Sequence, residues 1–451
     1  MSEIPRFLAL STQEYRQRLK RNFKILSVDT PTSVCPRRRT SMPDEVDLSF
    51  VFYVSGHGLG HLTRCAEVAR ALLRTRNGAA PPRRVTFVTN AANCEVLGTR
   101  EVDGEGDVCR VMQLSEEGVE VGIRDRRLDA GARQRDAFCI DIDETRDGAV
   151  AFHRDIDMLI AEEVRWLRES RPDVVVSDVV GLAFPAARQA GVPVVLMTNF
   201  SWGFIYRPFI REGEDDGAFR SVVGREEEMV GQADGFLRLA GFSVFGPRSL
   251  ESMAVDVPLI ARPIREGRET MRSRHRIDED AKVCLLMTGG HSLGVDFDWQ
   301  TIGDANASSP SSSWLFFVTA SMLGDARGED LPPNVRLVPP KAYVPDFVAM
   351  ADVVIGKIGY GTVSECLSSR TPLVYVPREN FCEEEDLRKL LERQRAGLEM
   401  PRETFLAGDW CNALSTALQM RPAVLATDTD GARIAAAIIV DAAERKKRSA
   451  C

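Results

Sequence analysis

ADVVIGKIGYGTVSECLSSRTPLVYVPRENFCEEE, residues 351–385, decides the reading of this chain. An apolar run ending at Lys357 leads into a glycine-rich turn. A helix opens near Thr362, and a second apolar run, 372–378, follows it. That order is the strand–turn–helix–strand unit of a parallel α/β sheet, whose ligands bind beyond the strand ends. Gly359 and Gly361 let backbone amides approach a ligand closely. The helix N terminus adds unpaired N–H groups and partial positive charge. Both favour phosphate, and Lys357 contributes a point charge. Glu365, one turn into the helix, offers a carboxylate to ribose hydroxyls. The spacing is neither GxxxxGK[ST] nor GxGxxG, which argues against an ATP cradle and against hydride transfer.

The same alternation extends in both directions. Upstream, strands are expected at 48–55, 84–90, 108–114, 173–179 and 192–198, with helices at 62–75 and 182–189 and a polar, helix-rich stretch at 130–170. Downstream, strands are expected at 281–290, 313–321, 334–340, 351–357 and 372–378, and an amphipathic helix closes the chain from Gly431. DANASSPSSSW (304–314) is low in complexity and reads as a surface insertion. The division that follows is a basic extension (1–46), an N-terminal Rossmann-like domain (47–245), a linker (246–262), a C-terminal Rossmann-like domain (263–430) and a terminal helix and tail (431–451). Two such sheets face each other across a cleft.

Composition narrows the function classes. The chain has 451 residues, 44% of them hydrophobic, with 58 Lys and Arg against 66 Asp and Glu and a net charge of −8. No whole-chain basic field attracts nucleic acid, and no apolar run reaches the roughly 18–20 residues of a membrane span. The ten cysteines are scattered, without CxxC or zinc spacing. With no leader-like N terminus, they place the chain in the cytoplasm as an expectation. Residues 1–46 hold nine Lys or Arg against five Asp or Glu. The run Arg37–Arg39 before Thr40 and Ser41 reads as a solvated tail or as a site for a basic-directed kinase.

A second glycine-rich turn, SGHGLGHLTR (55–64), also follows a strand and precedes a helix. It holds two of the five histidines, His57 and His61, with Gly58 and Gly60. An imidazole titrating near about 6.5 suits base work near neutrality. His61 therefore reads either as a general base or as a structural turn residue, and Asp178, ending DVVVSD, could orient it. NFSWGFIY (199–206) gathers aromatics that would line an acceptor site or pack beneath the linker. The DID triplets at 141–143 and 155–157 and DFD at 296–298 look like metal clamps but are expected by chance in an acid-rich chain, so no metal and no other cofactor is assigned.

GxxGxGTxSE before a helix and a Pro-led strand resembles the donor segment of two-domain nucleotide-sugar glycosyltransferases of the GT-B type. It is similar to the bacterial N-acetylglucosaminyltransferase of peptidoglycan lipid precursor synthesis. That resemblance implies diphosphate contacts for Gly359, Gly361 and Thr362 and a ribose contact for Glu365. It implies a base-binding turn at Tyr343 and Val344, a phosphate-approach loop at Gly289 and Gly290, and donor-sugar contacts for Glu383 and Glu384. The plainer reading of that last pair is a solvated helix start. The family's N-terminal turn places His61 against the acceptor hydroxyl.

A wider match spans most of the chain from residue 48. FVFYVSGHGLGHLTR, VVVSDVV, VLMTNFSWGFIY, ADVVIGKIGYGTVSE and FCEEEDLRKLLE resemble the glycosyltransferase-like N-terminal half of plant L-arabinokinases. The sugar-kinase half of that family, of the GHMP type, carries a Pro-x-x-x-Gly-Leu-x-Ser-Ser loop that does not occur here. The expected ligands are a nucleotide sugar, most simply UDP-linked, and an acceptor of unknown identity. The alternative is a non-catalytic nucleotide-sugar-binding module with a separate sugar kinase as partner.

Overall fold

The computed structural model describes residues 48–74, 84–90, 92–94, 120–212, 216–289, 293, 297–300, 314–323, 331–340, 342–424 and 426–450. The extension at 1–46, the strand expected at 108–114, the serine-rich stretch 304–313, Gly290 and Asp296 lie outside them.

The N-terminal sheet contains β1 (Ser49–Val54), β2 (Arg84–Thr89), β3 (Glu120–Asp125), β6 (Val174–Asp178), β7 (Val194–Thr198), β8 (Gly235–Leu239) and β9 (Ala254–Val257), in the order β3-β2-β1-β6-β7-β8-β9. Every pairing in it is parallel. A small antiparallel hairpin, β4 (Gln134–Asp136) and β5 (Cys139–Ile140), stands apart from the sheet. The second sheet has β10 (Lys282–Met287), β11 (Trp314–Val318), β12 (Val335–Leu337), β13 (Val353–Lys357), β14 (Leu373–Val376) and β15 (Gly397–Glu399), ordered β12-β11-β10-β13-β14-β15 and again all parallel. Its order is the doubly wound one, whose switch point lies between β10 and β13.

Helices cover both sheets. In chain order, the ones used below are α1 (Leu59–Arg74), α2 (Ile142–Arg154), α3 (Ile156–Ser170), α4 (Ala183–Ala190), α5 (Trp202–Tyr206), α6 (Gly217–Val230), α7 (Val344–Met350), α8 (Tyr360–Ser369), α9 (Glu383–Arg393) and α10 (Gly431–Ala450). Strands β6, β7, β10 and β13 are apolar along most of their length because they are buried on both faces. Helix α10 returns from the second domain and packs on α1. Ala435, Ala436, Ile439 and Ala443 join Leu62, Cys65, Val68 and Leu72 in one buried cluster.

The stretch expected to be linker, 246–262, holds a short helix (Arg248–Ser252) and the edge strand β9. The chain therefore leaves the first sheet only after Val257. Strand β9 is hard to read because its burial alternates and half-buried Asp256 accepts from Arg238 Nε at 2.6 Å, so no apolar run announces it. Strand β8 is interrupted by Arg238, and β15 has three residues at a sheet edge.

Register places the ends of the central strands together. Val54 of β1 pairs with Asp178 of β6, so the turn carrying His57–Gly60 starts beside that carboxylate. Met287 of β10 pairs with Gly356 of β13, which brings Gly289 beside Lys357.

Candidate active site

The two glycine-rich turns meet across the cleft. A Cβ built on Gly361 would lie 3.9 Å from the Gly60 Cα, and one on Gly60 would lie 4.0 Å from the Gly361 amide nitrogen. Between the sheets is a cavity of about 360 Å³. His57, Gly58, Gly60 and His61 line one side, and Gly289, Val344, Lys357, Gly359, Gly361, Thr362, Glu365 and Glu383 line the other. Positive φ at Gly58 (78°) and Gly289 (69°) marks conformations that a side chain would strain.

His61 sits in the first turn of α1 and is 7% exposed. Its Nδ1 lies 3.2 Å from Asp178 Oδ1 at the end of β6. The sequence reading missed Arg64, one turn along the same helix face. Arg64 donates from Nε to Asp178 Oδ2 at 2.6 Å and from Nη2 to Oδ1 at 2.5 Å. Burial alone would push the Asp178 carboxyl up, but Arg64 and then His61 outweigh it and hold the carboxyl well below the usual range. Val179, next in sequence, has a φ of 60°, strain that a β-branched residue carries at about 1–3 kcal/mol.

The polar chain continues across the cleft. Arg64 Nη1 donates to Asn199 Oδ1 at 2.7 Å, and Asn199 Nδ2 donates to Glu383 Oε1 at 2.7 Å. An arginine only donates and a carboxylate only accepts, so the Asn199 amide has a single satisfying orientation. The Arg64 guanidinium also lies 4.7 Å from the ring centre of Tyr360, first residue of α8. Glu383 is thus a buried partner of the opposite domain. Glu384 turns back to its own loop, accepting from the Arg378 backbone N–H at 3.0 Å and from Arg378 Nε at 3.1 Å.

At the other end of the cavity, Glu365 accepts from Arg262 Nε at 2.6 Å. Tyr343 is not among the lining residues. Its hydroxyl donates to Pro263 O at 2.9 Å, and the Arg265 guanidinium covers its ring at 3.8 Å. Lys357 is 6% exposed, and burial followed by the nearby Arg378 lowers its pKa to about 7. Arg378 lines the same wall over the Phe381 ring, and its Nη2 has no hydrogen-bond partner among the described residues. Only tertiary placement identifies Arg262 and Arg378, since Arg262 is one of several arginines in its segment and Arg378 stands alone in its own.

His57 plays a different part from His61. Its Nδ1 accepts from the Ala132 N–H at 3.3 Å, which puts the ring proton on Nε2, beside the Gln134 amide. Its ring lies edge-on to Trp202 of α5, so it forms a wall. NFSWGFIY divides in the same way. Phe200 lines the cavity beside His61, with ring centres 5.5 Å apart, while Trp202 and Tyr206 are buried and stacked behind it. Three of the four aspartates of the DID triplets have partners: Asp141 caps α2 through the Glu144 N–H, Asp143 pairs with Arg211 and Asp157 with Arg225, while Asp155 precedes α3 without a side-chain cap. Among the described residues, no helix is long and apolar enough to cross a membrane.

No protein-family model matches the chain. Over 400 residues, 88% of its length, it is 34% identical to the L-arabinokinase of Arabidopsis thaliana, and it spans only 34% of that protein. An uncharacterized glycosyltransferase of Methanopyrus kandleri is 25% identical over 281 residues, 61% of this chain and 77% of that one. Among solved structures, a UDP-glucosyltransferase from Polygonum tinctorium superposes with a TM-score of 0.53 at 14% identity, covering 90% of this chain and 99% of its own. The chain therefore has the two-domain GT-B glycosyltransferase fold and is a relative of L-arabinokinase over a stretch equal to about a third of that protein's length.

Proposed function

We propose that the protein is a nucleotide-sugar-dependent glycosyltransferase that uses a UDP-sugar and moves a hexosyl, pentosyl or N-acetylhexosaminyl group to an acceptor hydroxyl. The observation that carries this reading is the meeting of Gly60 and Gly361, which puts the His61–Asp178 pair and the α8 N terminus on one cavity. In the reaction the acceptor O–H gives its proton to His61 Nε2 while its oxygen bonds to the anomeric carbon. The bond from that carbon to the diphosphate oxygen breaks, and its electron pair leaves with the diphosphate. Amides at Gly361 and Thr362 and the α8 dipole stabilise that charge as it develops. No metal or other cofactor enters this scheme.

The test is a thermal-shift panel of nucleotides and nucleotide sugars, followed by product analysis of every hit. Expected are stabilisation by UDP or a UDP-sugar, transfer or hydrolysis of the donor, loss of turnover but retained binding in His61→Ala, and weakened donor binding in Glu365→Ala. Turnover unchanged in both variants would sink the site.

A second reading, a nucleotide-sugar-binding module serving a separate sugar kinase, is favoured by one observation. Arg64 already grips Asp178 through two nitrogens, in competition with His61. It predicts binding without turnover and indifference of the partner kinase to His61→Ala.

A further inference from the structure

His61 Nδ1 has two neighbours with opposite demands: Asp178 Oδ1 at 3.2 Å and Arg64 Nη2 at 3.0 Å. The carboxylate can only accept and the guanidinium can only donate. If Nδ1 carries the proton, it donates to Asp178 and Nε2 keeps its lone pair for an acceptor hydroxyl. If Nδ1 accepts from Arg64, the proton sits on Nε2 and the ring cannot act as a base there. One Nη2 hydrogen of Arg64 is committed to Asp178 Oδ1. The other has a second acceptor in reach, Thr198 Oγ1 at 3.4 Å, at the end of β7.

We propose that Arg64 is a positioning residue that sets the tautomer of His61, with Thr198 as the alternative acceptor for its second Nη2 hydrogen and Asn199 tying it to Glu383 across the cleft. The proposal rests on the reading of His61 as base. When the hydrogen points to Thr198, His61 presents Nε2 as a base; when it points to His61, the base is withdrawn. Nη1 meanwhile holds Asn199, whose amide fixes the Glu383 carboxylate on the donor side. Base and donor-side acid thus share one guanidinium, which is 2% exposed.

Arg64 also brings a fixed positive charge to the imidazole. The groups facing His61 are Arg64 from its own helix, Asp178 from β6, the ring of Phe200 after β7, and Asp129, which accepts from Trp202 Nε1 at 3.2 Å.

The experiment uses the full chain in three variants, Arg64→Lys, Arg64→Met and Thr198→Val, with kcat and KM and histidine nitrogen-15 spectra assigned by comparison with His61→Gln. In Arg64→Met no guanidinium hydrogen competes for Nδ1, and the ring proton is found on Nδ1, facing Asp178. In Arg64→Lys, which keeps the charge but not the fork, kcat falls about tenfold or more. In Thr198→Val the ring proton shifts from Nδ1 to Nε2 and kcat falls. An unmoved tautomer and an unchanged kcat in Thr198→Val overturn the proposal. If Arg64→Met does not fold, the other two variants decide it. Absence of turnover in wild type with every nucleotide sugar defeats the glycosyltransferase reading instead, and the nitrogen-15 tautomer, which needs no turnover, then decides the role of Arg64.

Discussion

Arg262, in the segment that crosses between the two sheets, donates to Glu365, the carboxylate proposed above to meet the donor, at 2.6 Å. Both side chains are nearly buried, at 12% and 4% exposure. Burial opposes the Arg262 charge, but Glu365 outweighs it and raises the guanidinium pKa. Removing one partner strands the other as a buried charge, which costs about 3–5 kcal/mol, whereas replacing both by apolar groups costs far less. Urea unfolding should therefore show Arg262→Met destabilised by that order and the double variant Arg262→Met, Glu365→Met restored to near wild type. Equal losses in the single and the double variant would show that the pair is not coupled.

If the proposed site takes a nucleotide, Lys357 should make that binding depend on pH. Burial first, and Arg378 next, lower its pKa to about 7, so the empty site holds a largely neutral amine above that pH. In the unfolded chain the amine stays charged up to about 10.4. Between those values the unfolded state binds more protons, so the Lys357 contribution to stability rises with pH. A bound diphosphate favours the charged amine. Binding of UDP above pH 7 should take up a proton and weaken as pH rises from 7 to 9, seen by calorimetry in buffers of different ionisation heat. Lys357→Met should bind more weakly at pH 7 and show a flat profile.

Both glycine turns and most of the strands around them were legible because each is a local signal: an apolar run, then Gly-x-Gly, then helical periodicity. Gly60 and Gly361 identified themselves in this way, while His61 and Asp178 were singled out by resemblance, and the register of β1 and β6 brings those two together. Arg64 carried a readable cue, three residues beyond His61 on one helix face, but its grip on Asp178 depends on the β1–β6 register. Arg262 and Arg378 had no cue at all, since an arginine in the sequence looks the same on a surface and in a buried pair. Tyr343 shows the converse. Its turn was found from sequence, but the direction of its ring depends on Arg265 and Pro263, which approach from outside the motif.

Glu226 on α6 is the least comfortable acid in the N-terminal domain. Burial, followed by Asp129, raises its pKa to about 8, and its Oε2 has no hydrogen-bond partner among the described residues. Its Oε1 faces His153 Nε2 at 3.0 Å, and burial, then Arg225, lowers the His153 pKa to about 4. Between pH of about 4.3, the free glutamate value, and 8, the folded protein holds a proton that the unfolded chain has released, so stability falls as pH rises through that window. Glu226→Gln, which cannot ionise, should remove that slope and gain up to about 5 kcal/mol at pH 8 in chemical denaturation. An unchanged slope would assign the dependence to other groups.

The hairpin β4–β5 binds the two domains together. Phe138 at its tip belongs to the N-terminal half of the chain but is fully buried in the C-terminal core, edge-on to Phe405 with ring centres 5.5 Å apart. Its carbonyl accepts from the Glu379 N–H at 2.7 Å, and Asp136 accepts from Arg402 at 2.7 Å. Gln134, at the base of the hairpin, lines the cavity, so the same segment closes the cleft and shapes its wall. Truncating a buried phenylalanine costs about 3–5 kcal/mol, and here the loss falls on the contact between domains rather than within either. Phe138→Ala should leave each sheet intact by circular dichroism, increase the radius of gyration in solution scattering, and raise hydrogen exchange at Gly58–His61 and Gly359–Thr362 together. Exchange that rises in the C-terminal core but not at the two turns would show that the hairpin only fills space there and does not hold the cleft shut.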